Sequence, residues 1–159
     1  MSLHLVALAA DHGGFDLKEQ LKETLQGWGF PLLDLGTDGL DPVDYPDFAE
    51  AMAAAIRAEV ARFGVLICGT GIGMSIAINR HPEVRAALVH DAFGARMARS
   101  HNDANVIAFG GRTTGVEIAK DCLRIFLDTA FEGGRHAARV AKMSIPLTMP
   151  ESLPRFWKD

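Results

Sequence analysis

The sequence predicts an α/β fold in which a parallel sheet of five strands is covered by helices on both faces. Short apolar runs of strand length alternate along the chain with longer amphipathic stretches of helical period. The short runs are continuously apolar instead of alternating with polar residues, as strands buried on both faces are.

Leu3–Ala10 is the first such run, and Asp11-His12-Gly13-Gly14 after it reads as a tight turn. Phe15, Leu17, Leu21 and Leu25 then recur among lysines and glutamates, which makes an amphipathic helix stopped near Gly27–Gly29. Phe30–Leu35 is a second strand, and the Gly/Asp/Pro-rich stretch 36–44 is a loop. Pro46, just after Tyr45, suits the first turn of an alanine-rich helix reaching about Phe63. Val65–Cys68 is the third strand, entering the turn Gly69-Thr70-Gly71-Ile72-Gly73 and a helix to about Asn79. Val84–Val89 and Val106–Phe109 complete the sheet, followed by helices over Ala92–Ser100 and Val116–Thr129. A last helical segment, Gly134–Lys142, precedes a tail punctuated by Pro146, Pro150 and Pro154. No repeat or linker interrupts the pattern, so residues 1–145 form one domain and 146–159 a tail without an assigned role.

With 159 residues, 48% of them hydrophobic, the chain can bury a sizeable single core. A formal charge of −4 argues against nucleic acid as a partner, which calls for a basic field. No apolar run has the length of a membrane span, and Met1-Ser2-Leu3-His4-Leu5 lacks the cationic start of a secretory signal. The expected compartment is therefore the cytoplasm, with Cys68 and Cys122 as reduced thiols. Their surroundings lack zinc-ligand spacing.

Parallel sheets bind ligands beyond the carboxyl ends of their strands. There the sequence places Asp11-His12, Cys68 with its glycine turn, and Gly110-Gly111-Arg112. Glycines let backbone N–H groups converge on a phosphate or an oxyanion, and a helix N-terminus adds positive potential. The same glycines also fit a plain strand–helix connection. A dinucleotide fingerprint would need glycine where Met74 stands, and a cysteine-phosphatase loop would need arginine there. Cys68 reads either as buried packing or as a thiol poised by the adjoining helix N-terminus. Cys122, mid-helix beside Ile118, Leu123 and Phe126, reads as core. His101-Asn102-Asp103 fits a solvated loop or a site, and Asp11 fits a helix cap or a site. Arg135 and Arg139 stand one helical turn apart, a spacing that suits a phosphate as well as a solvated basic face.

Taken together, these pieces resemble the type B ribose-5-phosphate isomerase family, which also holds galactose-6-phosphate isomerase subunits. The matching segments are Asp11–Gly14, Asp44-Tyr45-Pro46, Cys68–Gly73, His101-Asn102-Asp103, Phe109–Arg112 and Glu132–His136, in the family's order across residues 5 to about 142. The resemblance implies a single-domain, Rossmann-like three-layer fold, no cofactor and no metal. It implies a homodimer, or a dimer of dimers, with active sites shared between subunits. The reaction it implies is aldose–ketose isomerisation of a phosphorylated sugar, foremost ribose 5-phosphate to ribulose 5-phosphate, in the pentose phosphate pathway. Cys68 would remove the proton beside the carbonyl, while Gly69, Gly71 and Gly73 with Thr70 would stabilise the enediolate. His101 would open the sugar ring with help from Asp11. His12, Arg135 and Arg139 match phosphate ligands, and Tyr45, Asn102, Arg112 and His136 match other pocket positions. Some members use a glutamate at the position of Met74, which leaves the base here to Cys68. The elementary chemistry agrees: proton shuttling between adjacent carbons needs a base of tunable pKa, and a thiol near about 8.5 is one. Two other readings remain open: a hexose 6-phosphate or tetrose phosphate as substrate, and a non-catalytic sugar-phosphate-binding subunit.

Overall fold

A computed structural model describes residues 4–144. Five parallel strands form one sheet: β1 Val6–Ala10, β2 Leu32–Asp34, β3 Phe63–Cys68, β4 Ala86–Leu88 and β5 Val106–Gly110, in the spatial order β2-β1-β3-β5-β4. The helices are α1 Phe15–Gly27, α2 Tyr45–Arg57, α3 Ile72–Ile78, α4 Ala92–Ser100, α5 Val116–Asp128 and, after a 3-10 turn at Gly134–His136, α6 Ala137–Met143. The proline-punctuated tail lies outside the described residues.

Side-chain alternation divides the core into two layers. Val6, Leu8 and Ala10 of β1 face one way, with Leu17, Leu21 and Leu25 of α1 and Ala119, Cys122, Leu123 and Phe126 of α5. Ala7 and Ala9 face the other, with Ala49, Met52 and Ala53 of α2 and Met74, Ala77 and Ile78 of α3. The small residues of β1 let α2 approach the sheet closely.

Element order and type follow the sequence reading, while several ends differ. The helix expected to run to Phe63 stops at Arg57, followed by Glu59 in a left-handed conformation at φ 56°. The strand expected from Val65 starts at Phe63, because Gly64 lies inside it. A Cβ on Gly64 would stand 2.5 Å from Met52 Sδ, so this glycine serves helix–sheet contact instead of a turn. The edge strands β2 and β4 are shorter than expected, at 3 residues each. Among the described residues, no helix is long and apolar enough to cross a membrane.

Candidate active site

The chain crosses from one side of β1 to the other between β2 and β3, so the carboxyl ends of β1 and β3 flank a switch point of the sheet. Asp11 follows β1 and Cys68 ends β3. The loops after β1, β3 and β5 meet there at glycines. A Cβ on Gly13 would lie 3.1 Å from Gly69 N, one on Gly111 would lie 2.5 Å from Gly13 O, and one on Gly110 would lie 2.7 Å from the Thr70 carbonyl carbon. Any side chain at Gly110 or Gly111 would force these backbones apart. Backbone bonds extend the sheet past its strands: Gly111 N–H donates to Cys68 O at 2.8 Å, and Arg112 N–H to Gly69 O at 3.0 Å. Sequence-distant segments are thus locked into one surface.

Cys68 is 5% exposed, and its Sγ accepts the Gly71 N–H at 3.1 Å. Gly71 reaches this pose at φ 75°, a left-handed conformation that glycine enters without steric cost. The bond aims a backbone N–H dipole at the sulfur. The sequence argument also leaned on the helix that follows. At 7 residues, α3 is too short for its dipole to matter much beside that single directed donor. Met74 is fully buried in the α2/α3 layer, so it packs and does not face the site.

The neighbouring groups surround this thiol turn. Asp11 is buried, and its Oδ1 accepts the Gly14 N–H at 3.1 Å. The Arg112 guanidinium lies over Gly69, whose Cβ would be 3.3 Å from Nη1. Tyr45 covers Gly73, where a Cβ would stand 2.6 Å from the phenol ring. Thr70 is exposed, and its Oγ1 accepts the Ile72 N–H at 3.3 Å, which leaves the hydroxyl hydrogen free to donate. His12 Nδ1 accepts the Val43 N–H at 3.2 Å, which leaves Nε2–H to donate elsewhere.

A second group gathers where α4 ends. The rings of His101 and His136 stack at 4.1 Å with 14° between their planes. Glu132 Oε2 lies 3.8 Å from His101 Nε2 and 3.7 Å from His136 Nε2. Burial, with His101 and Arg135 close by, holds His136 below the usual histidine range despite the Glu132 charge. Glu132 is the residue that sequence reasoning left without a role. Its spacing of four from His136 was visible; its approach to His101 was not.

Arg135 lies in the 3-10 turn and Arg139 on α6, so the two do not share one regular helix face. Both are exposed. Asn102 is exposed and lines a cavity of about 300 Å³ with Asn79, Val84, Arg85 and Met143. That cavity offers no nucleophile or base beside a directed donor. A single chain therefore assembles Asp11, Gly69, Gly71, Gly73, Tyr45, Arg112 and Cys68, and separately His101 with His136.

A match over residues 6–143 to the family described as Ribose/Galactose Isomerase decides the assignment. The chain belongs to that family. This isomerase, of the aldose–ketose type, is 41% identical to the ribose-5-phosphate isomerase B of Escherichia coli over 85% of its own length and 91% of the relative's. It is 42% identical to the D-erythrulose-4-phosphate isomerase of Pectobacterium atrosepticum over 87% and 91%. Among solved structures it resembles a ribose 5-phosphate isomerase from Thermotoga maritima, with a TM-score of 0.87, 46% identity and coverage of 89% and 97%. The isomerase's five-stranded parallel sheet is shared with these neighbours.

Proposed function

We propose that this isomerase interconverts ribose 5-phosphate and ribulose 5-phosphate through an enediolate, with Cys68 as the base that moves the proton. The observation that carries the reading is the Gly71 N–H directed at Cys68 Sγ at 3.1 Å, on the surface where Asp11 and Arg112 converge. His101 assists ring opening, and Asp11 supports it from the β1 end. The Cys68 thiolate then takes the proton from the carbon beside the carbonyl, and the electron pair moves onto the carbonyl oxygen. N–H groups of the 69–73 turn and the Thr70 hydroxyl stabilise the resulting enediolate. A proton passes from the neighbouring hydroxyl oxygen to the former carbonyl oxygen, and the same thiol returns the carbon-bound proton to the former carbonyl carbon, which completes the exchange of aldose for ketose. No redox equivalent enters or leaves.

Phosphate recognition falls to His12 Nε2–H, Arg135 and Arg139, with Tyr45, Asn102, Arg112 and His136 shaping the pocket. Neither Arg112 nor Arg139 is paired with a carboxylate among the described residues, which keeps both available to an anion. The arginines of the 3-10 turn and α6 serve the site of a second subunit in a homodimer or a dimer of dimers. Exposed Ile72 and Ile76, one turn apart on α3, form apolar surface beside the Cys68 turn that a second copy would cover. A catalytic thiol also fits a reducing compartment such as the cytoplasm.

The similarity to an erythrulose-phosphate isomerase, within a percentage point of that to the ribose-phosphate enzyme, favours a four-carbon sugar phosphate as the second reading. A coupled assay over phosphorylated tetroses, pentoses and hexoses separates them. The highest kcat/KM is expected on ribose 5-phosphate. A preference for the tetrulose phosphate would move the substrate, and no turnover on any of them would turn the chain into a binding subunit.

A further inference from the structure

We infer that Asp103 is a positioning residue for ring opening: its carboxylate, clamped between Arg85 and Arg99, fixes the backbone that carries His101 and Asn102. The inference rests on the proposed role of His101 in opening the sugar ring, and it adds Asp103 with its two arginines to that step.

The chain leaves α4 through a tight turn. His101 N–H closes the helix on Met97 O at 3.0 Å, and Asp103 N–H reaches Arg99 O at 3.2 Å. Asp103 itself is left-handed, at φ 45°, which lets Ala104 N–H return to Ala98 O at 2.9 Å. A residue with a Cβ enters that region at a steric cost, which aspartate bears better than most.

The side chain of Asp103 offsets that cost. Oδ1 accepts from Arg99 Nη1 at 2.8 Å and Oδ2 from Arg85 Nη2 at 3.1 Å, so each oxygen holds one guanidinium. The same arginines grip the backbone as well. Arg85 Nε donates to Asp103 O at 2.8 Å, and Arg99 Nη1 to Ala104 O at 2.7 Å. Four charge-assisted bonds thus meet directly after the two site residues.

Both arginines are anchored from behind. Arg99 is 5% exposed, and its guanidinium carbon lies 5.1 Å from the Phe63 ring centre and 5.7 Å from that of Phe126. Arg85 N–H donates to Asn105 Oδ1 at 2.8 Å, while Asn105 Nδ2 donates to Glu83 O at 2.9 Å. The segment before β4 is thereby tied to the one before β5. The clamp acts on Asp103 and on main-chain oxygens, which leaves the His101 ring and the exposed Asn102 side chain to a ligand. A shift of about 1 Å at a reacting group can cost about 100-fold in rate, so a rigid carrier matters here.

Ring opening can be separated from proton transfer by choice of substrate. Ribose 5-phosphate closes a ring through the hydroxyl on its fourth carbon. Ribulose 5-phosphate stays open, because the phosphate blocks the hydroxyl that its ketone would need. Asp103→Gly is the informative variant, since glycine accepts the left-handed turn freely and only the carboxylate is lost. Its conversion of ribose 5-phosphate should slow by at least about tenfold, while deuterium exchange from D₂O into ribulose 5-phosphate should stay within about twofold of wild type. Asp103→Asn, which keeps one acceptor, should recover part of the loss. Arg85→Met, which leaves Arg99 paired, should reproduce part of it. If Asp103→Gly does not fold, these two variants are read by the same ratio of conversion to exchange. His101→Ala, without the ring-opening group, is the reference and should shift that ratio furthest. Equal losses of conversion and exchange at Asp103, with the ratio shifted only in His101→Ala, would overturn the positioning role and leave His101 as the ring-opening group. An unshifted ratio in His101→Ala would overturn both.

Discussion

Cys122 sits on α5 in the same layer as Leu123 and Phe126, whereas Cys68 closes β3 against the opposite layer and meets the glycine turn. Both thiols are buried. Burial pushes the Cys122 thiol up to about 11, and the charges of Asp121 and Asp91 add to the rise. Cys68 instead receives a backbone N–H on its sulfur. Depth is thus a poor guide to reactivity, and the direction of the nearest polar group separates a packing cysteine from a poised one. The same contrast holds more widely. Beside the first core layer, buried Lys18 is fully engaged by Glu19 at 2.7 Å and Asp34 at 2.8 Å. At the carboxyl edge of the sheet, Asp11, Thr70 and Arg112 each keep hydrogen-bonding capacity in reserve. One region spends its polar groups on stability, while the other keeps them for a ligand.

Variants at the edge should therefore change rate, and variants in the interior should change stability. The largest effect is expected for Cys68→Ser. A hydroxyl is nearly isosteric but a far weaker base, so kcat should fall by at least about 100-fold with little change in thermal midpoint. Steady-state kinetics and a melting curve check both halves. Loss of stability with retained turnover would invert the comparison.

Asp34→Ala comes next, with the opposite signature. It leaves the Lys18 ammonium, 1% exposed, with Glu19 as its remaining carboxylate partner. Removing a charged hydrogen-bond partner should cost about 2 kcal/mol in denaturant unfolding and leave kcat/KM unchanged. Burial would raise the Asp34 carboxyl, but bonds from Lys18, Lys22 and Gly36 outweigh it and hold it below the ordinary range. A carboxyl lowered in the folded state stabilises fully above its unfolded pKa of about 4 and loses that contribution as pH falls through the folded value. Wild type should therefore lose more stability than Asp34→Ala on acidification below about pH 4. Equal losses would remove Asp34 from the acid response.

Arg139→Ala tests the edge again, more gently. A phosphate contact made in ground and transition states alike should raise KM by about tenfold, or about 1.4 kcal/mol, with kcat little changed. The unphosphorylated sugar serves as the control. Equal losses on both sugars would mean that Arg139 does not read phosphate.

The strand–helix alternation, the turns after β1, β3 and β5, and the core position of Cys122 were all legible in the sequence, because each depends on local periodicity or on residues close in the chain. Gly64 fell between the helix expected to reach Phe63 and the strand expected from Val65, because nothing local reveals that Met52 packs on it. The Lys18–Asp34 pair and the Glu132–His101 approach join segments far apart in the chain, and hydrophobic patterning carries no signal for either. Gly13 and Gly111 were visible as turn residues, but their mutual contact was not. The site's composition was therefore readable, and its assembly was not.

The smallest effect is expected for Cys122→Ala, which removes one buried sulfur and should cost about 1 kcal/mol of stability with unchanged kcat. A matching alkylation experiment would show the native protein labelled at Cys68 before Cys122.

Proton transfer at Cys68 itself is followed most directly by solvent exchange. With ribose 5-phosphate in D₂O, wild type should place deuterium on the carbon that receives the proton, read by proton NMR. Cys68→Ser, with substrate saturating, should lose exchange and turnover by the same factor of at least about 100. Exchange persisting at a near wild-type rate in Cys68→Ser would mean that another group removes the proton, and the assignment of Cys68 as base would fall.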